Sequence, residues 1–466
     1  MIRRSVAALR VAVGPVLAGV ASVPVMAASR LAAAPAMALA AVIAVTLAMP
    51  AGTASAADWP QWRGPAMNGS TTETGLPATF SPTENVAWVA PMPGQSGATP
   101  IVSGDRVFVS SVDEKTQRLL ALCLDLATGK VLWQRETGQN RRAMRNNMAS
   151  PSPVTDGKAV TFYYGTAGLF AFDFSGTPLW SRDLEKDHGG NALMFGYSSA
   201  PLLYKDKLYI IAIRNHRASQ YGQAPEAEAP SYLLAIDPKT GKDLWKVTRP
   251  GEANGEAQEA YTTAVPYEAA GRSELLIYGA DVLTGHDPAT GRELWRWGGY
   301  NPRHINHWRV ITSPVVAGDL AIVAGPKHST LFAIRPTGTG TLTESAVAWT
   351  FEKAVPDTSV PLLYQGRLYV LDDDRRVMTC LEPETGKPKW QLPLEGKSVY
   401  RASATGADGK IYLMSEVGEV VVLAAGDEPK ILHRVAMGDA EFCRSSIVAA
   451  QGRLLIRTAD KLYCVK

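Results

Sequence analysis

The chain has 466 residues, 46% hydrophobic and 20% charged, a balance that suits a globular protein and excludes a disordered or low-complexity one. Its formal charge of +3 misleads, because residues 1–57 contain Arg3, Arg4, Arg10 and Arg30 and no acid. The remainder carries 43 bases against 44 acids, which gives no electrostatic reason to expect nucleic acid as a partner.

Residues 1–57 read as a signal peptide. Arg30 is followed by an alanine-rich apolar run, Leu31–Met49, and Ala54-Ser55-Ala56 supplies a small-x-small cleavage signal. The stretch before Met26 is long for such a segment, so Met26 is an alternative start. Arg3-Arg4 raises the twin-arginine route, although the residues after it fit that signal poorly. A retained membrane helix is the competing reading; cleavage would leave no stable membrane insertion. The expected destination is the periplasm or the outside, and no cysteine near the cleavage site offers a lipid anchor.

Residues 58–84 form an irregular arm rich in Pro, Gly and Thr, in which Trp59 and Trp62 either anchor to the main fold or bind a partner. The arm leads from below into Asn85-Val86-Ala87-Trp88-Val89, a strand with no partner before it.

From there one phrase repeats. Asp125, Asp237, Asp287 and Glu382 each begin an x-x-Thr-Gly turn that reaches a tryptophan eight residues on: Trp133, Trp245, Trp295 and Trp390. The acid and threonine side chains can hydrogen-bond their own turn, and Gly241 supplies the positive φ that a hairpin needs. The tryptophan then has a large apolar area to pack on a neighbour. A period of roughly 40–50 residues with four short strands marks a β-propeller. Each unit should open on a small residue and Pro, or its equivalent. The openings are Thr99-Pro100, Ser152-Pro153, Ala200-Pro201, Thr263-Ala264, Ser313-Pro314, Val360-Pro361, Ser403-Ala404 and Ser446-Ile447, which makes eight.

The outer-strand markers are Trp133, Trp180, Trp245, Trp295, Trp349, Trp390 and His433, which makes seven. The last unit stops after its third strand, Lys461–Lys466, so the strand around Trp88 is expected to supply its fourth. Residues 85–466 are therefore read as an all-β, eight-bladed propeller of four-stranded antiparallel blades, closed by an N-terminal strand.

The four cysteines look at first like a disulfide set. Aligning the repeats places Cys380 and Cys464 in the slot held by Ala171, Ala235, Gly285 and Ala333, and Cys123 at or beside it. Equivalent positions of separate blades point into separate layers, so these are small buried residues. Cys443 is the exception and could be a free thiol.

Strand alternation puts the Asp-x-x-Thr-Gly turns on one end of the ring, the bottom. The loops between blades, and those between strands two and three, share the top. The bottom turns are short and stereotyped. The top holds the long segments 138–149, 186–199, 214–230, 250–260 and 297–310, and elaborated loops on a rigid ring are where binding sites sit. Asn147, Tyr197, Glu259, Tyr261, His307, Arg309, Asp357, Tyr400, Arg401 and Arg444 precede the inner strands. They either form a ligand funnel of mixed charge or merely cap the channel.

His304 and His307 could form a metal pair, but no third or fourth ligand follows from spacing, so no metal is assigned. His188 and His216 read as surface residues of the top loops. Among these motifs there is no nucleophile elbow, phosphate loop or dinucleotide fingerprint.

The pattern Ala-x-Asp-x-x-Thr-Gly-x-x-x-Trp at 235–245 resembles the tryptophan-docking motif of quinoprotein dehydrogenases, which bind pyrroloquinoline quinone (PQQ) in an eight-bladed propeller. The resemblance covers most of residues 85–466 and is specific for the fold. It says little of activity, because the propeller lipoprotein of the barrel-assembly machinery shares the motif. Asp58-Trp-Pro-Gln-Trp-Arg-Gly-Pro65 resembles a group of exported PQQ-like repeat proteins. The adjacent cysteines that many quinoprotein alcohol dehydrogenases stack on their cofactor are missing, as is the lipidation cysteine of the assembly protein. The calcium site and catalytic Asp of the enzymes match no motif here, and the chain lacks their large insertions.

The leading expectation is an exported, non-catalytic scaffold that binds a protein or small ligand through its top loops. The alternatives are a PQQ- and calcium-dependent dehydrogenase of alcohols or sugars, with Asp357 as base and Arg401 or Arg444 near the quinone, and a polysaccharide or cell-wall binder. No cofactor is assigned; the enzyme reading would require PQQ and calcium.

Overall fold

Asp237 shows why the repeated phrase folds as it does. Its carboxylate accepts the Lys239 N–H at 2.9 Å and the Thr240 hydroxyl at 2.9 Å, and Gly241 closes the turn at φ +70°. The strands on either side then pair antiparallel, with Ala235 opposite Trp245. The computed structural model describes residues 57–141, 143–191, 193–215, 230–396, 398–438 and 441–466. The expected signal peptide and its cleavage site, apart from Ala57, lie outside the described residues, as does His216.

Eight antiparallel sheets follow in chain order, each opening one residue after the expected small-residue signal. Blade 1 runs Ile101–Ser103, Arg106–Val112, Arg118–Asp125, Val131–Gln139, and blade 2 runs Val154–Thr155, Ala159–Tyr163, Gly168–Asp173, Pro178–Asp183. Blade 3 begins at Leu202–Tyr204, blade 4 at Val265–Ala269, blade 5 at Val315–Ala317, blade 6 at Leu362–Tyr364 and blade 7 at Thr405–Ala407. Blade 8 holds Val448–Ala450, Arg453–Arg457 and Lys461–Val465, and Val86–Pro91 pairs antiparallel with the last of these, Trp88 opposite Cys464. Blade 4 carries a fifth strand that the sequence did not announce. Gly340–Thr341, from the long third-to-fourth connection of blade 5, runs parallel to its Glu293–Trp297 strand.

Most of the tryptophans lock one blade to the next, whereas Trp295 donates to Glu274 of its own blade at 2.6 Å. The indole N–H of Trp88 donates to Leu126 O, that of Trp133 to Phe174 O, that of Trp180 to Pro238 O and that of Trp349 to Pro383 O, at 2.8–3.0 Å. Each ring also lies on the turn glycine of the following blade: a Cβ on Gly129 would stand 2.5 Å from Trp88, and one on Gly241 2.6 Å from Trp180. The Thr-Gly turn therefore keeps its glycine for two reasons, the left-handed φ and the indole seated on it. His433 holds the tryptophan register opposite Val422, but its ring meets Phe80 of the arm instead of a neighbouring turn.

All four cysteines are free and buried. Cys123, Cys380 and Cys464 stand opposite Trp133, Trp390 and Trp88. Burial pushes the Cys443 thiol up to about 12, so it is free without being reactive.

The arm crosses the bottom of the ring. Trp59 bridges to Val102, Thr155 N–H donates to Pro60 O, Leu203 N–H to the Gln61 side chain, and Ser70 bridges to Gly406. Arg63 is buried on the way, its guanidinium donating to Asn68 O, Pro361 O and Ala404 O at 2.7–2.9 Å. No helix among the described residues is long and apolar enough to cross a membrane.

Candidate functional site

The starts of the inner strands converge on the axis, and small hydroxyl residues there stitch blade to blade. Thr99 N–H donates to Ser152 Oγ, Ala200 N–H to Thr263 Oγ1, Thr263 N–H to Ser313 Oγ, Val360 N–H to Ser403 Oγ and Ser446 N–H to Thr99 Oγ1. Above this ring lies a cavity of ≈ 410 Å³. Its wall comes from the loops between blades and the turns between strands two and three, so it belongs to the top end. Trp62 of the arm is the exception: the arm crosses the opposite end, and this indole lines the cavity from below.

Five of the ten residues singled out in the sequence line this cavity: Tyr261, Arg309, Asp357, Arg401 and Arg444. Arg309 pairs with Glu256 at 2.8 Å, lies 3.8 Å from Asp357 and stacks its guanidinium 4.6 Å from the Phe195 ring. Asp357 accepts the Lys327 N–H at 2.8 Å. Arg401 pairs with Asp374 at 2.9 Å. Arg444 pairs with Glu416 at 2.6 Å and donates to Arg145 O and Asn146 Oδ1; burial lowers its pKa.

The other five lie elsewhere, because a residue that precedes an inner strand can turn into the blade or outward as easily as toward the axis. Asn147 shapes its own loop, donating to Gln95 O and accepting from Ala149 N–H. Tyr197 is buried between blades, edge-on to Tyr163, with its hydroxyl on Ile211 O. Glu259 is buried beneath the wall, where it accepts from Met194 N–H and the Tyr261 hydroxyl, and burial raises its pKa. Tyr400 packs in the core between blades 6 and 7, with its pKa raised to about 12 by burial. His307 is exposed outside the lining. Its neighbour His304 pairs with Asp281 at 2.9 Å, so the two histidines do not converge.

Sequence reasoning missed Arg145, Lys327, His328, Asp374 and Phe195, all part of the lining. The signal for three of them was present in the short top turns, above all the run Asp372-Asp373-Asp374. His328 Nδ1 meets Val355 O at 2.7 Å and its Nε2 meets Asp374 at 3.0 Å. Asp373 is fully buried and accepts the N–H groups of Asp357 and Thr358 and the Thr358 hydroxyl; burial lifts its pKa to about 6. His328, Asp372 and Asp373 bring potential metal-ligand atoms within 4.8 Å of one another. Those atoms already hold backbone and side-chain partners, and the cluster reads as an ion-pair network.

The model of a family described as outer membrane protein assembly factor BamB matches residues 70–231, 216–348 and 341–465. The chain belongs to this PQQ-like propeller family. A polyvinylalcohol dehydrogenase from a Pseudomonas species is 26% identical over 174 residues, 37% of this chain and only 26% of that protein's length. Two solved structures share the fold. BamB from Moraxella catarrhalis superposes with TM-score 0.55 at 14% identity, covering 81% of this chain and 99% of its own. A quinohemoprotein alcohol dehydrogenase from Comamonas testosteroni gives TM-score 0.59 at 13% identity, covering 87% and 80%.

Proposed function

We propose that the protein is an exported, non-catalytic propeller that holds a ligand or a protein partner at its top face. The observation that carries this reading is the pairing of the cavity's acids. Asp357 is engaged by the Lys327 N–H and by Arg309, and Asp374 by His328 and Arg401. Such a wall offers fixed charges for recognition, with its carboxylate oxygens already occupied. The bottom of the ring is crossed by the arm, which leaves the top as the approach.

The dehydrogenase relatives favour a second reading, in which PQQ and calcium occupy the same funnel. Calcium takes six to eight oxygen ligands. Here the two buried carboxylates, Asp372 and Asp373, hold the Arg375, Asp357 and Thr358 amides, and Asn146 Oδ1 accepts from Arg444. This donor set does not fit a calcium-held quinone.

The test places a photoreactive residue at Lys327 in the cavity wall and, separately, at Leu244 on the outer wall, in the exporting cell. Adducts found by mass spectrometry at position 327 and absent at 244 are expected; adducts at 244 alone would overturn the reading. Purified protein mixed with PQQ and calcium should show neither a bound-quinone spectrum nor dye reduction with alcohols or sugars.

A further inference from the structure

The chemistry of the ligand can be read from the cavity if the top-face reading holds. We infer that the funnel binds a hydroxylated carboxylate: a molecule with at least two carboxylates on a hydroxyl-bearing body, such as the end of an acidic polysaccharide.

Three independent observations converge. First, the lining holds Arg145, Arg309, Arg401, Arg444 and Lys327; Arg309 and Arg444 pair with Glu256 and Glu416 outside the lining, and Arg401 pairs with Asp374. Among the described residues, the side chains of Arg145 and Lys327 are exposed and have no acidic partner, so they are the cations left for a ligand. Guanidinium groups with spare donors recognise carboxylates.

Second, the hydroxyls below the cations are oriented. Thr99, Ser152, Thr263 and Ser403 each use the side-chain oxygen to accept a backbone N–H from another blade. A hydroxyl has one hydrogen to give as well as lone pairs to receive with. None of these four donates to a protein group among the described residues, so their hydrogens remain for acceptor oxygens in the cavity. Carboxylate and hydroxyl oxygens of a ligand can both accept these hydrogens, so the ring adds donors beneath the cations.

Third, Trp62 lines the cavity from the arm side, and Phe195 and Tyr261 line its wall. An indole offers an apolar face of the kind that the C–H face of a sugar ring covers. Cations, free hydroxyl hydrogens and aromatic faces together describe an acidic sugar better than a phosphate or a flat apolar acid. The volume of ≈ 410 Å³ lies within the range of sites that enclose a small ligand.

Isothermal titration calorimetry on the purified chain tests this with a trimer of uronic acid residues, the matching neutral hexose trimer and citrate. The uronate trimer should bind one to one, more weakly as salt rises, and at least tenfold more tightly than the neutral trimer. Arg145→Gln with Lys327→Gln should weaken uronate binding at least tenfold with an unchanged melting temperature, since both side chains are exposed. Ser403→Ala, with its melting temperature checked, should weaken it further. Tighter binding of uronate than citrate assigns the site to a polysaccharide end. The reverse assigns it to a free hydroxy acid and leaves the recognition chemistry intact. Equal binding of the neutral trimer, no binding of either anion, or an unaffected double variant would sink the inference. Position-327 adducts in the cell alongside failed titrations would refute the ligand class while leaving the top-face reading in place.

Discussion

Both ring nitrogens of His328 face acceptors, Val355 O on one side and Asp374 on the other. Neutral imidazole has one hydrogen and can satisfy only one of them; the charged ring satisfies both. Burial by itself would lower the pKa of His328. The bond to Val355, the bond to Asp374 and the nearby charges of Asp373 and Asp372 outweigh burial, and the net shift is upward. Asp373 also moves up, to about 6, chiefly through burial and against the pull of the Asp357 amide, Arg401 and His328. Burial would likewise raise Asp374, but His328 and Arg401 overcome it and hold its pKa low. The signs then follow. His328 binds its proton more tightly when folded, so its stabilisation is complete below its unfolded pKa and is lost as pH rises through the folded one. Asp373 behaves in the same direction, over the interval below about 6. Asp374 works oppositely, losing its contribution only as pH falls below the ordinary carboxylate range. The melting temperature should therefore fall as pH rises through about 6 and on above the ordinary histidine range, and His328→Gln should flatten the upper part of that slope. Parallel curves for the two proteins would remove His328 from the linkage.

At the scale of the blade, the turn glycine and the preceding blade's tryptophan act as one joint. Gly241 sits at φ +70° with a Cβ position 2.6 Å from Trp180, whereas Gly104 sits at φ +56° with nothing within 4 Å. Gly104→Ala should cost about 1 kcal/mol, the strain of a left-handed alanine. Gly241→Ala adds overpacking against the indole, and a total loss of about 2–4 kcal/mol is expected. Urea unfolding midpoints compare the two directly, and equal losses would mean that the indole yields freely. This joint also marks how far the sequence could be read. Asp-x-x-Thr-Gly and its tryptophan depend on local turn chemistry and a fixed offset, so blade count, strand order and cysteine slots were all legible. The cavity was legible by half. Position before an inner strand identifies a loop, but Tyr197 and Tyr400 turn into the core, and no local pattern decides that. Trp62 was hidden for a different reason: it lines the cavity from the arm side, a relation that exists only once the whole ring has formed.

Across the whole molecule, each blade is held mainly by its neighbours, so stability is shared among the seams between blades. The seam between blades 8 and 1 joins chain segments far apart in sequence. Trp88 crosses it to Leu126 O, and the buried Arg457 guanidinium crosses it to Ser110 O, Gly94 O and the Ser111 hydroxyl. If Val86–Pro91 leaves blade 8, the Lys461–Val465 edge is bared and this seam loses its indole. Fixing the strand covalently should therefore stabilise the entire ring. Pro91 and Lys461 are register partners and both are exposed, so replacing them disturbs no core. The four native cysteines are buried and compete little for oxidation. Pro91→Cys with Lys461→Cys should form a disulfide on mild oxidation. Closing so long a loop is worth up to about 5 kcal/mol in the chain-entropy model, less any strain. Calorimetry should show a higher melting temperature for the oxidised form than for the reduced one. Failure of the bond to form, or identical melting of the two forms, would show that the strand does not stay paired in solution.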